Sequence, residues 1–262
     1  MVTTDLLLQL VPGFMLVLCR ITAFLVVAPV FSTATFPKTA KIGFAFFLSL
    51  IVFLNVGIDT TVPTDGTYIV AIFKEILAGL LIGYAASLFF SIVQIAGSLM
   101  DMQMGLGVAN IVDPLTGVSA PMLGNLKYML QILVFLSING HHYLLAAIMD
   151  SYKWLPLDNT LFRTIASGNV TQFLSRTFAD TFLMALQISA PMVVAMFLID
   201  LGLALLSRAA PQYQVFVIGI PIKILLGFAI LLLLLPAFST LFQMIFDHMF
   251  AALDKLFVIL RT

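Results

Sequence analysis

Apolar side chains run along this chain in long blocks and do not alternate with polar ones. Residues 21–37, 42–58, 76–100, 128–149, 181–199 and 224–246 contain no Asp, Glu, Lys or Arg. About 20 apolar residues carry a helix across a hydrocarbon core. Backbone groups in lipid must be bonded within the segment, so helix is the state expected of blocks this long. The period-two alternation of membrane barrel strands is absent. The pattern predicts an all-α, polytopic fold of hydrophobic helical hairpins with six long helices. The first helix extends back to Val11 if Arg20 is accepted inside it. The fifth and sixth extend toward each other through Asp200 and Lys223. Connections are expected at 32–41, at 59–67 (DTTVPTDGT), over the long Gly- and Pro-containing stretch 101–127, at 150–180 with short helices, and in a tight turn at 209–214. In the final stretch, 243–262, Ile245, Met249, Leu253, Leu256 and Leu260 fall at helical spacing, which predicts an amphipathic extension of the sixth helix. No internal repeat is visible.

Composition makes the lipid reading firmer. Hydrophobic residues are 62% of the 262, charged residues 9%, and the formal net charge is zero. Mean hydropathy is +1.15. A soluble domain carries about 25% charged residues, so this chain lacks the polar surface of a cytosolic enzyme or a nucleic-acid binder, and it is too apolar for a disordered tail. The single cysteine, Cys19, excludes an intramolecular disulfide and a cysteine-based metal cluster. Residues 1–19 hold no Lys or Arg, so the start reads as a mature helix and not as a signal peptide. With six spans, Lys38, Lys41, Lys127 and Arg208 fall on one side, and Lys74, Lys153, Arg163, Arg176, Lys255 and Arg261 on the other. That is nearly no positive-inside bias; the slight excess puts both termini in the cytoplasm.

Ionisable groups among apolar helices are costly, and they mark pairing or function. Arg20, Lys74, Glu75, Asp200, Arg208 and Lys223 are the candidates. Asp200 lies 11 residues before Pro211 and Lys223 lies 12 after it. In a hairpin turning at Pro211 both sit roughly 16 Å from the turn at 1.5 Å per residue. They either pair there or face separate neighbours. A proton relay is a poor fit to acids dispersed over separate helices. Gly79, Gly83, Ser87 and Ser91 recur every four residues and form a groove for a close helix, in a neighbouring subunit or in this chain. His141 and His142 adjoin each other, so on a helix they are expected to point apart and not to share a metal. No metal site and no cofactor site is expected.

The stretch 100–122 reads MDMQMGLGVANIVDPLTGVSAPM. Methionines fill irregular gaps, and Gly105, Gly107 and Gly117 free the backbone. Asp113-Pro114 starts a turn, and Met122 closes the segment. A long, apolar, nearly uncharged loop is expected to lie inside protein, where it lines or blocks a passage, and not to be an exposed connector. No nucleophile elbow, phosphate-binding loop, dinucleotide fingerprint or zinc-protease helix occurs, so no catalytic residues are expected.

Specific runs then become recognisable. They are Asp200-Leu201-Gly202, Ser207-Arg208-Ala209-Ala210-Pro211-Gln212 and Val215-Phe216-Val217-Ile218-Gly219-Ile220-Pro221 with Lys223. Asn139-Gly140-His141 with Leu144-Leu145, Lys74-Glu75, and the segment from Gln94 through Asp101 to Asp113-Pro114 accompany them. The chain resembles the FliR/SctT family of type III export-gate proteins, in its flagellar branch, over nearly its whole length. The resemblance implies one FliR-like domain over 1–262, with a FliP-like portion at 1–180 and a FliQ-like portion at 181–262. It implies a place in a closed helical assembly with about five copies of FliP and with FliQ, working beside FlhB and FlhA. Unfolded flagellar substrates are passed, and no nucleic acid is bound. The setting implied is the bacterial inner membrane and flagellar basal body, raised above the membrane plane, which would explain the flat positive-inside count. The loop through Gly105, Gly107, Asp113, Pro114, Gly117 and Met122 is implied to plug the pore. Arg20, Lys74, Glu75, Asp200, Arg208, Gln212 and Lys223 are implied to form polar networks or partner contacts. The competing readings are a secondary transporter, which should show paired repeats around a midplane site, and a purely structural scaffold of the basal body.

Overall fold

A computed structural model describes residues 4–33, 37–56, 67–106, 122–155, 167–212 and 215–261. Among them lie α1 (Thr4–Val27), α2 (Lys38–Val56), α3 (Thr67–Met104), α4 (Met122–Ser137), α5 (Gly140–Trp154), α6 (Asn169–Ala209), α7 (Val215–Leu234) and α8 (Ala237–Arg261). No strand occurs among the described residues.

The all-α expectation holds, but several boundaries move. Helix α3 runs 38 residues and α6 runs 41. At 1.5 Å per residue these are about 57 and 62 Å of helix, well beyond a hydrocarbon core of about 30 Å. Lys127 and Arg176, assigned to loops by the charge pattern, stand inside α4 and α6. The apolar block 128–149 is not one helix. Asn139 takes a left-handed conformation (φ 57°) and separates α4 from α5; Asn is among the few side chains that tolerate it. The block 224–246 also breaks, at Leu235 and Pro236, between α7 and α8. A proline ring withholds an N–H and crowds the preceding turn, so an apolar run need not be a continuous helix. Five of the described helices are long and apolar enough to cross a membrane, or six with α4 and α5 counted as one broken span.

The chain folds into two compact units. The first comprises Met1–Phe89, Ile138–Phe178 and Phe246–Thr262. Here α1 packs on α2 and on the first half of α3. Leu16, Ile21, Phe24, Ile82, Leu144 and Ile148 are fully buried at its centre. The end of α8 lays Met249, Leu253, Leu256 and Leu260 into this core, as their spacing predicts. Tyr143 meets Phe250 at 5.2 Å between centroids, and the Arg261 guanidinium lies over the Trp154 ring at 5.1 Å.

The second unit comprises Phe90–Ser137 and Ala179–Ile245. Phe90 sits edge-on to Phe135 at 5.1 Å and to Tyr128 at 6.3 Å, joining α3 to α4. The α6–α7 hairpin turns its apolar side chains outward: Phe197, Leu205, Leu225, Leu232 and Leu233 are all exposed. Of the most apolar window in α7, 17% is buried, against 61% in α3. The core helix of the fold is therefore α3, and α7 is a helix whose surroundings must be lipid or other apolar chains.

Candidate functional site

Three polar clusters stand out against this apolar background. The first lies in the first unit, on α1, α3 and α5. Arg20 is completely buried. Its Nε donates to Glu75 Oε2 at 2.6 Å and its Nη2 to Glu75 Oε1 at 3.0 Å. Nη1 donates to Ser151 Oγ at 3.1 Å, and Nη2 also donates to the Leu155 carbonyl at 2.9 Å. Leu155 is the C-cap of α5; carbonyls at a helix C-terminus lack intrahelical partners and carry partial negative charge, so a cation is favoured there. The guanidinium stacks 4.0 Å from the centre of the Tyr152 ring, whose hydroxyl donates to the Val17 carbonyl at 3.3 Å. Lys74 Nζ lies 3.4 Å from Glu75 Oε1. A planar fork fits this mixture of carboxylate, hydroxyl, carbonyl and ring better than an ammonium would. Such a saturated network fixes three helices relative to one another; it offers no unpaired nucleophile or base.

The small-residue ridge is part of the same construction. A Cβ at Gly79 would collide with the Arg20 carbonyl, and one at Gly83 would stand 3.1 Å from the Phe24 carbonyl. These two glycines therefore receive α1 of this chain, not a neighbouring subunit. Ser87 donates to the Tyr84 carbonyl at 2.8 Å, within its own helix.

The second cluster, in the second unit, is the root of the Gly/Met segment. Residues 107–121, and with them Gly107, Asp113, Pro114 and Gly117, lie outside the described residues; Gly105 and Met122 are inside them. Gly105 has φ 79°, the left-handed region that favours glycine. Its N–H donates to the Met102 carbonyl at 3.2 Å, and the Leu106 N–H donates to the Asp101 carbonyl at 3.1 Å. This pair of bonds is a Schellman stop for α3. Met122, where the segment ends, is the first residue of α4 and is exposed. The Asp101 carboxylate, 5% exposed, accepts from the Leu123 N–H at 3.1 and 3.2 Å and from the Gly124 N–H at 3.5 Å. Gly97 and Gly124 bring α3 and α4 into backbone contact, since a Cβ on Gly97 would strike the Gly124 Cα. Met104 is fully buried and lies on Gly227 of α7. Lys127, 4% exposed, donates to the Met100 sulfur and stands 5.0 Å from the centre of the Phe238 ring.

The third cluster is the Asp200–Lys223 pair, also in the second unit. Lys223 Nζ lies 2.8 Å from Asp200 Oδ1 and 2.9 Å from Oδ2. The hairpin depth argument thus brings the two together. The pair edges a cleft of about 510 Å³ shared with Met102, Met104, Gly105 and Gly219. Arg208 and Gln212, from the same sequence run, are exposed near the turn and join none of the three clusters. His141 and His142 do not point apart as expected. Their rings lie 4.2 Å between centroids in the first turn of α5, just after the left-handed Asn139. Among the described residues no group of three or more His, Cys, Asp or Glu is placed to hold a metal ion.

Ser151, Tyr152, the Leu155 carbonyl and Lys127 were not singled out by the sequence as site residues. Lys127 does carry a signal: with Leu123, Gln131 and Phe135 it recurs every four residues, and all four are buried on one face of α4.

Residues 11–249 match the family described as bacterial export proteins, family 1. The chain belongs to that family. This is the FliR/SctT family that the Asp200-to-Lys223 run pointed to. Among family 1 relatives, the flagellar biosynthetic protein FliR of Bacillus subtilis is 38% identical over 240 residues, 92% of each chain. FliR of Escherichia coli K12 is 30% identical over 241 residues, covering 89% of this chain and 88% of its own. The Yop proteins translocation protein T of Yersinia pestis is 33% identical over 212 residues, 80% of each. The family 1 match takes in all three clusters, from Arg20 to Lys223.

Proposed function

We propose that this family 1 export protein forms part of the channel wall of a flagellar type III export gate. In this reading the segment 107–121, rooted at Gly105 and Met122, seals the passage until an unfolded substrate enters. At the coarser level the chain is a component of a type III export apparatus with several apolar helices suited to the inner membrane. The proposal adds the wall, the plug and the partners: FliP in about five copies, FliQ, FlhB and FlhA, arranged as a closed assembly. The sequence division into FliP-like 1–180 and FliQ-like 181–262 belongs to the same proposal; both compact units draw on both portions.

One observation carries the sealing role. Both ends of the segment are anchored to α3, α4 and α7 by the Asp101 carboxylate, the Gly97–Gly124 crossing and the Met104–Gly227 contact. An apolar segment held at its ends and free of charge except at Asp113 suits a seal that yields. The outward apolar α6–α7 hairpin suits a wall element packed by other chains or by lipid. The long contours of α3 and α6 support a position partly raised from the membrane plane.

The test is deletion of residues 105–117 in the full export complex. The complex should still assemble, and membranes carrying it should conduct small ions at rest. An assembled complex with unchanged resting conductance removes the sealing role.

A further inference from the structure

We propose that the outward face of α6 around Gln187 and Pro191 is a docking surface for an apolar helix of another chain in the export complex, one that brings a hydroxyl or amide donor to this spot. The proposal deepens the wall reading and rests on it, because that reading leaves lipid and other chains as alternative covers for the α6–α7 hairpin. Polar groups on the hairpin decide between them.

Helix α6 has two faces. Ala185, Ser189, Met192 and Met196 are buried against the rest of the chain. At 3.6 residues per turn Gln187 stands opposite this stripe, and Leu183, Ala190, Pro191, Val194 and Leu198 stand with it, all exposed. In a continuous helix the Gln187 carbonyl would accept from the amide of residue 191. That residue is proline, which has no N–H to give. The neighbouring hydroxyl does not replace it: Ser189 Oγ donates to the Leu186 carbonyl at 3.0 Å. Gln187 therefore presents a main-chain carbonyl short of its donor together with a side-chain amide that both donates and accepts. Helix α7 repeats the arrangement. Pro221 lies inside it and is exposed, and the Val217 carbonyl loses its donor in the same way.

Lipid does not suit such a spot. Hydrocarbon offers no hydrogen bond, and polar groups left unpaired there are costly. Bulk water does not suit it either, because the surrounding side chains are apolar and α6 has the length and hydropathy of a membrane span. A second helix meets both conditions. Its apolar side chains cover Leu183, Val194 and Leu198, and a Ser, Thr, Asn or Gln on it bonds across to Gln187. Ala190, on the same face as Gln187, has the small side chain that lets two backbones approach.

The test uses the full export complex, with Gln187→Leu and Pro191→Ala made separately. Under a lipid cover both changes are favourable: one removes an amide from hydrocarbon, and the other returns the missing N–H to the Gln187 carbonyl. Under a helix contact both remove what the partner bonds to. Each variant should therefore leave the purified complex roughly three- to tenfold faster than the unaltered chain on dilution in detergent, the loss of one interhelical hydrogen bond. Unchanged or slower dissociation of either variant overturns the proposal. Should neither variant accumulate, a benzoylphenylalanine photo-crosslinker in place of Val194 decides. An adduct with another chain of the purified complex, mapped to a helix that carries a hydroxyl or amide side chain, supports the docking surface. An adduct with lipid alone, with a helix lacking such a side chain, or none at all overturns it. The wall reading fails separately. A chain that never co-purifies with other export components removes the wall, and the docking surface with it. A chain that co-purifies while position 194 crosslinks only to lipid removes the docking surface and leaves the wall.

Discussion

Arg20 and Glu75 form a two-point ion pair, Nε to Oε2 at 2.6 Å and Nη2 to Oε1 at 3.0 Å, across 55 residues of chain. Neither side chain is open to its surroundings. Burying two ions is expensive, and the attraction repays it when the remaining polar atoms are also bonded. Ser151, Leu155 and Tyr152 meet that condition on the arginine side, and Lys74 on the glutamate side.

Glu75→Gln should therefore destabilise the chain strongly. It leaves a buried guanidinium without its counterion, at a cost of about 3–5 kcal/mol. Arg20→Lys should fall in the same direction, because an ammonium cannot span carboxylate, hydroxyl and carbonyl at once. Thermal denaturation of the solubilised complex reads both; a midpoint unchanged in Glu75→Gln contradicts the role given to the pair.

The glycines at the helix contacts of α3 and α7 should rank by what their added methyl would meet. Gly79→Ala drives into the Arg20 carbonyl, which is backbone, and forces α1 away from α3. Overpacking of this kind costs about 1–3 kcal/mol or more. Gly83→Ala, with 3.1 Å to the Phe24 carbonyl, should cost less. Gly227→Ala meets the flexible Met104 side chain and should be milder than Gly79→Ala. Equal loss of stability across all three would contradict the ordering.

Asp200 and Lys223 should couple. Lys223→Ala should weaken the α6–α7 hairpin, and the exchange of the two residues should restore much of it. The coupling should be about 1 kcal/mol, since the Asp200 side chain is 45% exposed. A double-mutant cycle on complex stability measures it, and a coupling near zero would show the contact to be incidental.

Gln131 should be replaceable. It is fully buried, and neither side-chain amide atom has a hydrogen-bond partner among the described residues. A buried polar group left unpaired costs about 1–3 kcal/mol, so Gln131→Leu should raise the denaturation midpoint. A lowered midpoint would contradict the reading of Gln131 as an unpaired buried amide.

Much of the helical plan was readable from residue order. The charge-free blocks located the apolar helices, and the spacing of Ile245, Met249, Leu253, Leu256 and Leu260 gave the buried face of α8. The turn at Pro211 placed Asp200 and Lys223 at one depth, and they pair. Helix breaks were harder to read. Asn139 and Pro236 interrupt apolar runs without changing their hydrophobicity, and a hydropathy pattern does not register backbone conformation.

The sequence by itself determined that this chain is helical and lipid-compatible. Those properties follow from summed side-chain transfer energies and local periodicity, which depend on order along the chain. Tertiary structure decided which charges meet. Arg20 finds Glu75, Ser151 and Leu155 on helices far apart in sequence, and Asp101 finds the start of α4 across the Gly/Met segment. Such contacts are fixed by how the helices dock, because a buried ion or carboxylate must be satisfied by whatever polar groups the docking brings within about 3 Å.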